Sequence, residues 1–311
     1  MISVIVCTYN RAESLRQTLD AISKIDMPMS GMEVLVVDNN SRDQTPEVVQ
    51  AAAAGALFPI RRVFEPNQGL SHARNRGIAE ARGQYLVFID DDITPEKRWL
   101  NALREGFVLF EADALSGPIK SMWNFEPPRW YRNPDIRKSL SGVLGELDLG
   151  PRPLIADTLD HGFMFGGNMA FRKSFFQDIG LFRTDLGVVG RKRRLGEDTD
   201  LLERGFRSGK KFVYVPAALV GHRVQQEKLT ISAIRRWKYQ KGLSTVSKAS
   251  TGLPPLWLLK ECFANAAASL AYRLLGRSSR AFIKELSFWI QAGQIRGHFQ
   301  KIHSDGEMSG V

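Results

Sequence analysis

Between residues 3 and 89 the chain alternates short apolar runs with amphipathic stretches, and few patterns restrict a fold more tightly. Ser3–Cys7, Glu33–Val37, Ile60–Phe64 and Tyr85–Ile89 read as strands. Between the first two, Leu15, Leu19 and Ile22 recur at helical spacing, and Arg74 to Ala81 predicts another helix before the fourth strand. Strands that are apolar almost throughout need cover on both faces, and strands separated by helices pair in parallel. The expectation is an α/β fold: a mixed, mostly parallel sheet flanked by helices.

The pattern then loosens. Residues 118–160 carry six prolines together with Trp123, Trp130 and Tyr131. Such an insertion either builds a site or lid, or is a plain surface excursion. Phe212–Val215 predicts a further strand, closed by Pro216, and from Thr230 onward the chain reads as helical. Charge divides unevenly. Residues 1–222 hold 29 Lys and Arg against 28 Asp and Glu, whereas residues 223–311 hold 14 against 5. The basic excess of the last quarter implies a second module with an anionic partner. We therefore expect an α/β domain over 1–225 and a basic amphipathic helical region over 226–311.

Cys7 and Cys262 lie far apart, each in an apolar stretch. They read as buried free thiols in a reducing compartment. The start, Met1 to Thr8, has no basic leader and reads as a strand, not a signal peptide. No apolar run approaches the ~20 residues needed to span a bilayer.

Chemistry concentrates where strands end. Phe88-Ile89 runs into Asp90-Asp91-Asp92, and ligand sites in open α/β sheets lie beyond the carboxyl ends of strands. Adjacent carboxylates repel, and Mg²⁺ or Mn²⁺ shared with a diphosphate would relieve them. A solvated acidic turn before Pro95 is the alternative. Glu197-Asp198 precedes the helical Leu201-Leu202-Glu203-Arg204, where a carboxylate either caps the helix or serves as a general base. Thr8-Tyr9-Asn10-Arg11 and Asp38-Asn39-Asn40-Ser41 follow the first two strands and could bind a base and ribose, or form turns. Arg191-Lys192-Arg193-Arg194 is a solvated basic face or a loop closing over a diphosphate.

Taken in order, Val4 to Arg11, Val36 to Ser41, Asn67 to Asn75, Asp90-Asp91-Asp92, Gly166 to Arg172 and Glu197-Asp198 resemble the family 2 glycosyltransferases over about residues 1–222. The resemblance implies the GT-A (Rossmann-like) fold, a nucleotide-diphosphate sugar donor, a divalent metal and inversion at the anomeric carbon. It implies that Thr8, Tyr9, Arg11, Asp38 and Asn40 line the nucleotide pocket and that Arg74 approaches the base or phosphate. Asp90 and Asp91 would reach the ribose or sugar, and Asp92 would hold the metal. Gly166, Gly167 and Asn168 would form the wall facing donor and acceptor. His222 would be a second metal ligand, a pairing that suits Mn²⁺ better than Mg²⁺. Asp198 would be the base, with Glu197 beside it.

The expected activity is a metal-dependent, hexosyltransferase-type reaction from a UDP-linked sugar to a saccharide or lipid-linked hydroxyl, as in bacterial surface-polysaccharide assembly. A nucleotidylyltransferase would want a glycine-rich basic loop where Thr8-Tyr9-Asn10-Arg11 stands, and an inactive nucleotide-sugar-binding scaffold would not need intact acidic clusters. In the tail, Leu256, Leu259, Phe263, Ala267, Leu270 and Leu274 recur at helical spacing among Lys260, Glu261 and Arg273. This stripe either meets an anionic lipid surface or packs as core. The charge carries no nucleic-acid recognition motif. A cytoplasmic protein bound peripherally to the inner face of the membrane is the expectation.

Overall fold

The structure is a computed structural model that describes residues 1–26, 31–156, 163–189, 192–246 and 253–308. By internal contacts the chain divides into two compact units. The first comprises 1–122, 145–192 and 197–224; the second comprises 123–144, 193–196 and 225–311.

The first unit is built on β1 (Ile2–Thr8), α1 (Ala12–Ile22), β2 (Met32–Asp38), α2 (Thr45–Gly55), β3 (Ile60–Phe64), α3 (Leu70–Glu80) and β4 (Tyr85–Asp90). These four strands stand in the order β3-β2-β1-β4, all parallel. β1 and β2 are buried on both faces, which is why neither shows alternation. α1 turns Leu15, Thr18, Leu19 and Ile22 inward, one face of a 3.6-residue repeat.

Beyond β4 the direction changes. β5 (Ile93–Pro95), α4 (Trp99–Leu109), β6 (Ala114–Ser116), β7 (Ile119–Met122), β8 (Leu154–Ile155), β9 (Met169–Arg172) and α6 (Lys173–Ile179) follow, with α5 (Pro134–Leu144) belonging to the second unit. β9 runs antiparallel between β4 and β6. After β10 (Gly187–Val189), β11 (Lys192–Arg194) and α7 (Glu197–Arg207), β12 (Phe212–Tyr214) joins β6 in parallel and β8 covers its far edge. The result, among the described residues, is a mixed eight-stranded sheet with order β3-β2-β1-β4-β9-β6-β12-β8. Phe88, Phe171, Phe175, Phe176 and Phe182 pack edge-on or tilted over β4 and β9, with ring centroids 4.9 to 6.1 Å apart. A smaller sheet, β5-β13-β7, is completed by β13 (Val220–Arg223). It sets His222 opposite Ile93 and Ser121.

The second unit holds α5, α8 (Ile231–Val246), α9 (Leu256–Leu274) and α10 (Ser278–Met308). Trp123, Trp130 and Tyr131 cluster edge to face, and Trp130 meets Phe282 of α10 at 5.6 Å. Glu285 of α10 accepts from both Arg235 and Arg273. α8 and α10 approach backbone to backbone: a Cβ on Gly242 would lie 1.9 Å from the Ile290 carbonyl oxygen, and one on Gly293 2.0 Å from that of Tyr239.

Candidate active site

The parallel register brings three polar strand ends to one edge of the sheet: Thr8 stands opposite Asp38, and Cys7 opposite Asp90. The loops after β1 and β2 then lock together. Asn10 and Asn40, both in the left-handed region at φ 51° and 66°, turn the chain back. The Asn10 N–H donates to Ser41 Oγ at 3.0 Å, and Asn10 Oδ1 accepts from the Arg42 N–H at 2.7 Å. Tyr9 is left exposed on this paired rim, with Asn40 half-buried beside Asp38.

Asp91 and Asp92 are buried, whereas Asp90 is partly exposed. Thr8 Oγ1 donates to Asp91 at 2.7 Å, and the Arg11 guanidinium donates to Asp91 and, at 2.9 Å, to Asp92. Burial raises the Asp91 carboxyl to about 7, against the opposing pull of Arg11. The Asp91 carbonyl is itself a hub: Ser14 and Thr18 hydroxyls donate to it at 2.8 Å each, and Arg223 at 3.1 Å. Arg223 also reaches Thr18 and Thr94 at 2.6 Å, so one side chain ties β13, α1 and the acidic turn together. Arginines therefore already offset much of the repulsion that the sequence alone assigned to a cation.

Arg74, almost fully buried, links the two acidic clusters. It donates to Glu197 at 2.9 Å, lies 3.9 Å from Asp90 and covers the Phe182 ring at 5.3 Å. Burial opposes its charge, but Glu197 and Asp90 outweigh that and raise its pKa. Gly166 makes room for it: a Cβ there would sit 2.2 Å from Arg74 Nη2. Gly167 borders Asp90, its Cβ position 3.6 Å from Oδ2. Glu197 is buried, and burial with the neighbouring Asp198 charge raises its pKa while Arg74 pulls the other way. Asp198 is less buried; its Oδ1 accepts from the Thr199 N–H at 2.7 Å.

Asp92 and His222 offer a carboxylate oxygen and an imidazole nitrogen 3.4 Å apart. Two neighbouring ligands on an octahedral ion with ~2.1 Å bonds stand ~3 Å apart, so this donor pair fits Mn²⁺ or Mg²⁺. Among the described residues no group of three or more His, Cys, Asp or Glu could hold a metal. Substrate phosphates would have to supply other positions, as is usual for these ions.

Two residues take places other than those expected. Asn168 does not face a cleft. It is fully buried, accepting from Trp99 Nε1 at 2.9 Å and donating to the Ala218 carbonyl at 2.8 Å. Asp38 is also fully buried, its oxygens held by Arg62 at 2.7 Å and the Ser41 N–H at 2.9 Å. Both side chains support the walls on which Gly167 and Asn40 stand. Arg191 lies outside the described residues, as do the side chains of Lys192, Arg193 and Arg194. Cys7 is half-buried and unpaired by disulfide, and burial pushes its thiol up to about 12, an inert group. Sequence reasoning missed Arg223 and Trp99, whose partners lie far away along the chain and leave no local signature.

Residues 3–180 match the family described as Glycosyl transferase family 2. The chain belongs to that family. It is 26% identical over 307 residues to the succinoglycan biosynthesis protein ExoM of Rhizobium meliloti, covering 95% of this chain and 92% of ExoM. Among solved structures it resembles the mannosyltransferase PcManGT from Pyrobaculum calidifontis, in complex with GDP-Man and Mn²⁺. That likeness has a TM-score of 0.64 at 21% identity, covering 96% and 87% of the two chains. TarS 1–349 of S. aureus, in complex with UDP-GlcNAc, has a TM-score of 0.54 at 17% identity, covering 99% and 92%. These likenesses establish the GT-A fold for this family 2 glycosyltransferase.

Proposed function

We propose that this glycosyltransferase moves a hexosyl group from a UDP-linked sugar to a hydroxyl of a saccharide or lipid-linked acceptor, with inversion, at the inner membrane face. The observation that carries this reading is the Arg74 bridge, which sets the acidic turn after β4 and the acidic start of α7 on either side of one buried cation. Residues 1–225 would bind donor and perform transfer, and residues 226–311 would meet the acceptor surface.

Tyr9 and Asn40, on the locked rim, flank the base, with Thr8 and Asp38 bracing them from beneath. Arg11 reaches the phosphates, and Asp90 and Gly167 border the sugar. Asp198 takes the proton from the acceptor hydroxyl as its oxygen attacks the anomeric carbon and the sugar–phosphate bond breaks. Glu197 is the weaker candidate because Arg74 already holds it. A divalent cation held by Asp92 and His222 would offset charge on the leaving diphosphate. An acceptor in surface-polysaccharide assembly is supported by the likeness to ExoM. UDP is supported by the complex of TarS, while PcManGT holds a guanosine donor.

The test is a panel of nucleotide sugars scored for stabilisation and slow hydrolysis with Mn²⁺ and with chelator. Asp198→Asn should keep donor affinity and lose turnover by a factor of roughly 10². Asp92→Ala should lose the metal-dependent part of UDP affinity in calorimetry. Donor binding without hydrolysis or transfer would point to a scaffold, and formation of diphosphate from sugar phosphate and nucleoside triphosphate to a nucleotidylyltransferase.

A further inference from the structure

α9 is a 19-residue helix that carries apolar residues on two faces. One face behaves as expected: Leu258 and Ser269 are buried, and Ser269 donates to the Ala281 carbonyl of α10 at 2.9 Å. The opposite face does not. Leu256, Leu259, Phe263, Leu270 and Leu274 fall on one stripe at intervals of three, four and seven, and all are exposed, Phe263 by 78% and Leu274 by 81%. Trp257 is exposed by 59% at the same end as Leu256. A contiguous outward row of this kind marks an interaction surface, since isolated exposed leucines do not line up.

We infer that this outward face of α9 lies in the plane of an anionic bilayer, its apolar side chains among the acyl chains and its cations at the headgroups. The inference rests on the membrane-surface reading above and names the surface responsible. Three observations select lipid. Exposed Lys260 interrupts the stripe, and exposed Arg277 and Arg280 follow its far end, against Glu261 as the one carboxylate of α9, while Arg273 is already paired with Glu285 of α10. An isologous pair of copies would bring these like charges together, whereas anionic headgroups would receive them. No helix is long and apolar enough to cross a membrane among the described residues, so the face can lie on a bilayer but not span it. Trp257 at one end is the residue type enriched where acyl chains meet headgroups.

The full chain is floated with vesicles containing phosphatidylglycerol and with neutral phosphatidylcholine vesicles. Wild type should partition at least tenfold more strongly to the anionic ones, with a remainder surviving 0.5 M salt because apolar insertion is not screened. Leu256→Ser, Phe263→Ser, Leu270→Ser and Leu274→Ser together should remove that remainder. Brominated lipids should quench the wild-type protein, and Trp257→Phe should lose most of that quenching, a measurement independent of the serine variant's folding. Equal flotation of variant and wild type would overturn the assignment. So would a wild type that ignores vesicles, or one that forms dimers lost in the variant. Donor hydrolysis without vesicles, measured in parallel, should survive the α9 changes and fall in Asp198→Asn, which separates failure of the surface from failure of the chemistry.

Discussion

Asn168 shows how far a residue's role depends on what surrounds it. The resemblance to the family implies a wall facing donor and acceptor, yet the amide joins Trp99 to the carbonyls of Pro118 and Ala218. Asn168→Ala should therefore act through stability. It orphans buried polar groups, each worth roughly 1–3 kcal/mol, so a loss of about 3 kcal/mol is expected in urea unfolding. Donor affinity measured well below the unfolding midpoint should change little. Arg74 makes the complementary case. Its position within Asn67 to Asn75 was legible, but its function as a bridge between Asp90 and Glu197 was not, because residue 197 lies 123 positions away.

At the level of elements, strands buried on both faces were plain in the sequence because their apolar runs are continuous. β12 was legible too, from Phe212–Val215 closed by Pro216, but the short strands β6 and β9 were not, because three and four residues are too few for any period to emerge. The contact of α8 with α10 was equally hidden, since only the folded backbone shows which glycines meet a neighbour. Gly293→Ala should cost about 2 kcal/mol or more, because the added methyl overlaps the Tyr239 carbonyl. Gly55→Ala, in open space at the end of α2, should be neutral or mildly stabilising. Calorimetric unfolding of the two variants gives the comparison.

Lys238 of α8 provides a pH signature for the same element. It is buried, donates to the Ser139 carbonyl at 2.6 Å, and burial pulls its pKa from 10.5 down to about 8. The unfolded chain holds more protons between pH 8 and 10.5, so stability rises with pH across that window. Relative to Lys238→Met, the wild type should gain on the order of 3 kcal/mol from pH 8 to pH 10.5. A pH-independent difference between the two unfolding curves would show that the ammonium is solvated.

For the whole molecule, the second unit draws on three separate stretches of chain. α5, whose Ile136, Leu140 and Leu144 are buried, belongs with α8, α9 and α10 although it precedes them by nearly a hundred residues. A cut after residue 225 runs through this unit and strips α5 of its partners. The 1–225 fragment should be insoluble or bind hydrophobic dyes strongly, and sedimentation with dye fluorescence will check it. Substitutions on the outer face of α9 are the cleaner probe of membrane binding, because they leave the packed face intact.

By itself the sequence determined whatever local periodicity and composition control: the alternating α/β core, the carboxylates at strand ends and the basic excess of the last quarter. Its six ordered segments also identified the glycosyltransferase family, to which residues 3–180 belong. Only the tertiary structure decided which polar groups remain open to a ligand. Thr8, Asp38, Asp91 and Asn168 are all polar residues near strand ends or glycines, and nothing local distinguishes them from Tyr9, Asn40 or Asp90. Burial and hydrogen bonding to distant partners did. The stripe on α9 obeys the same rule in reverse. Helical spacing fixed that its leucines share a face, but whether that face meets core or solvent depended on which side of the helix α10 covers.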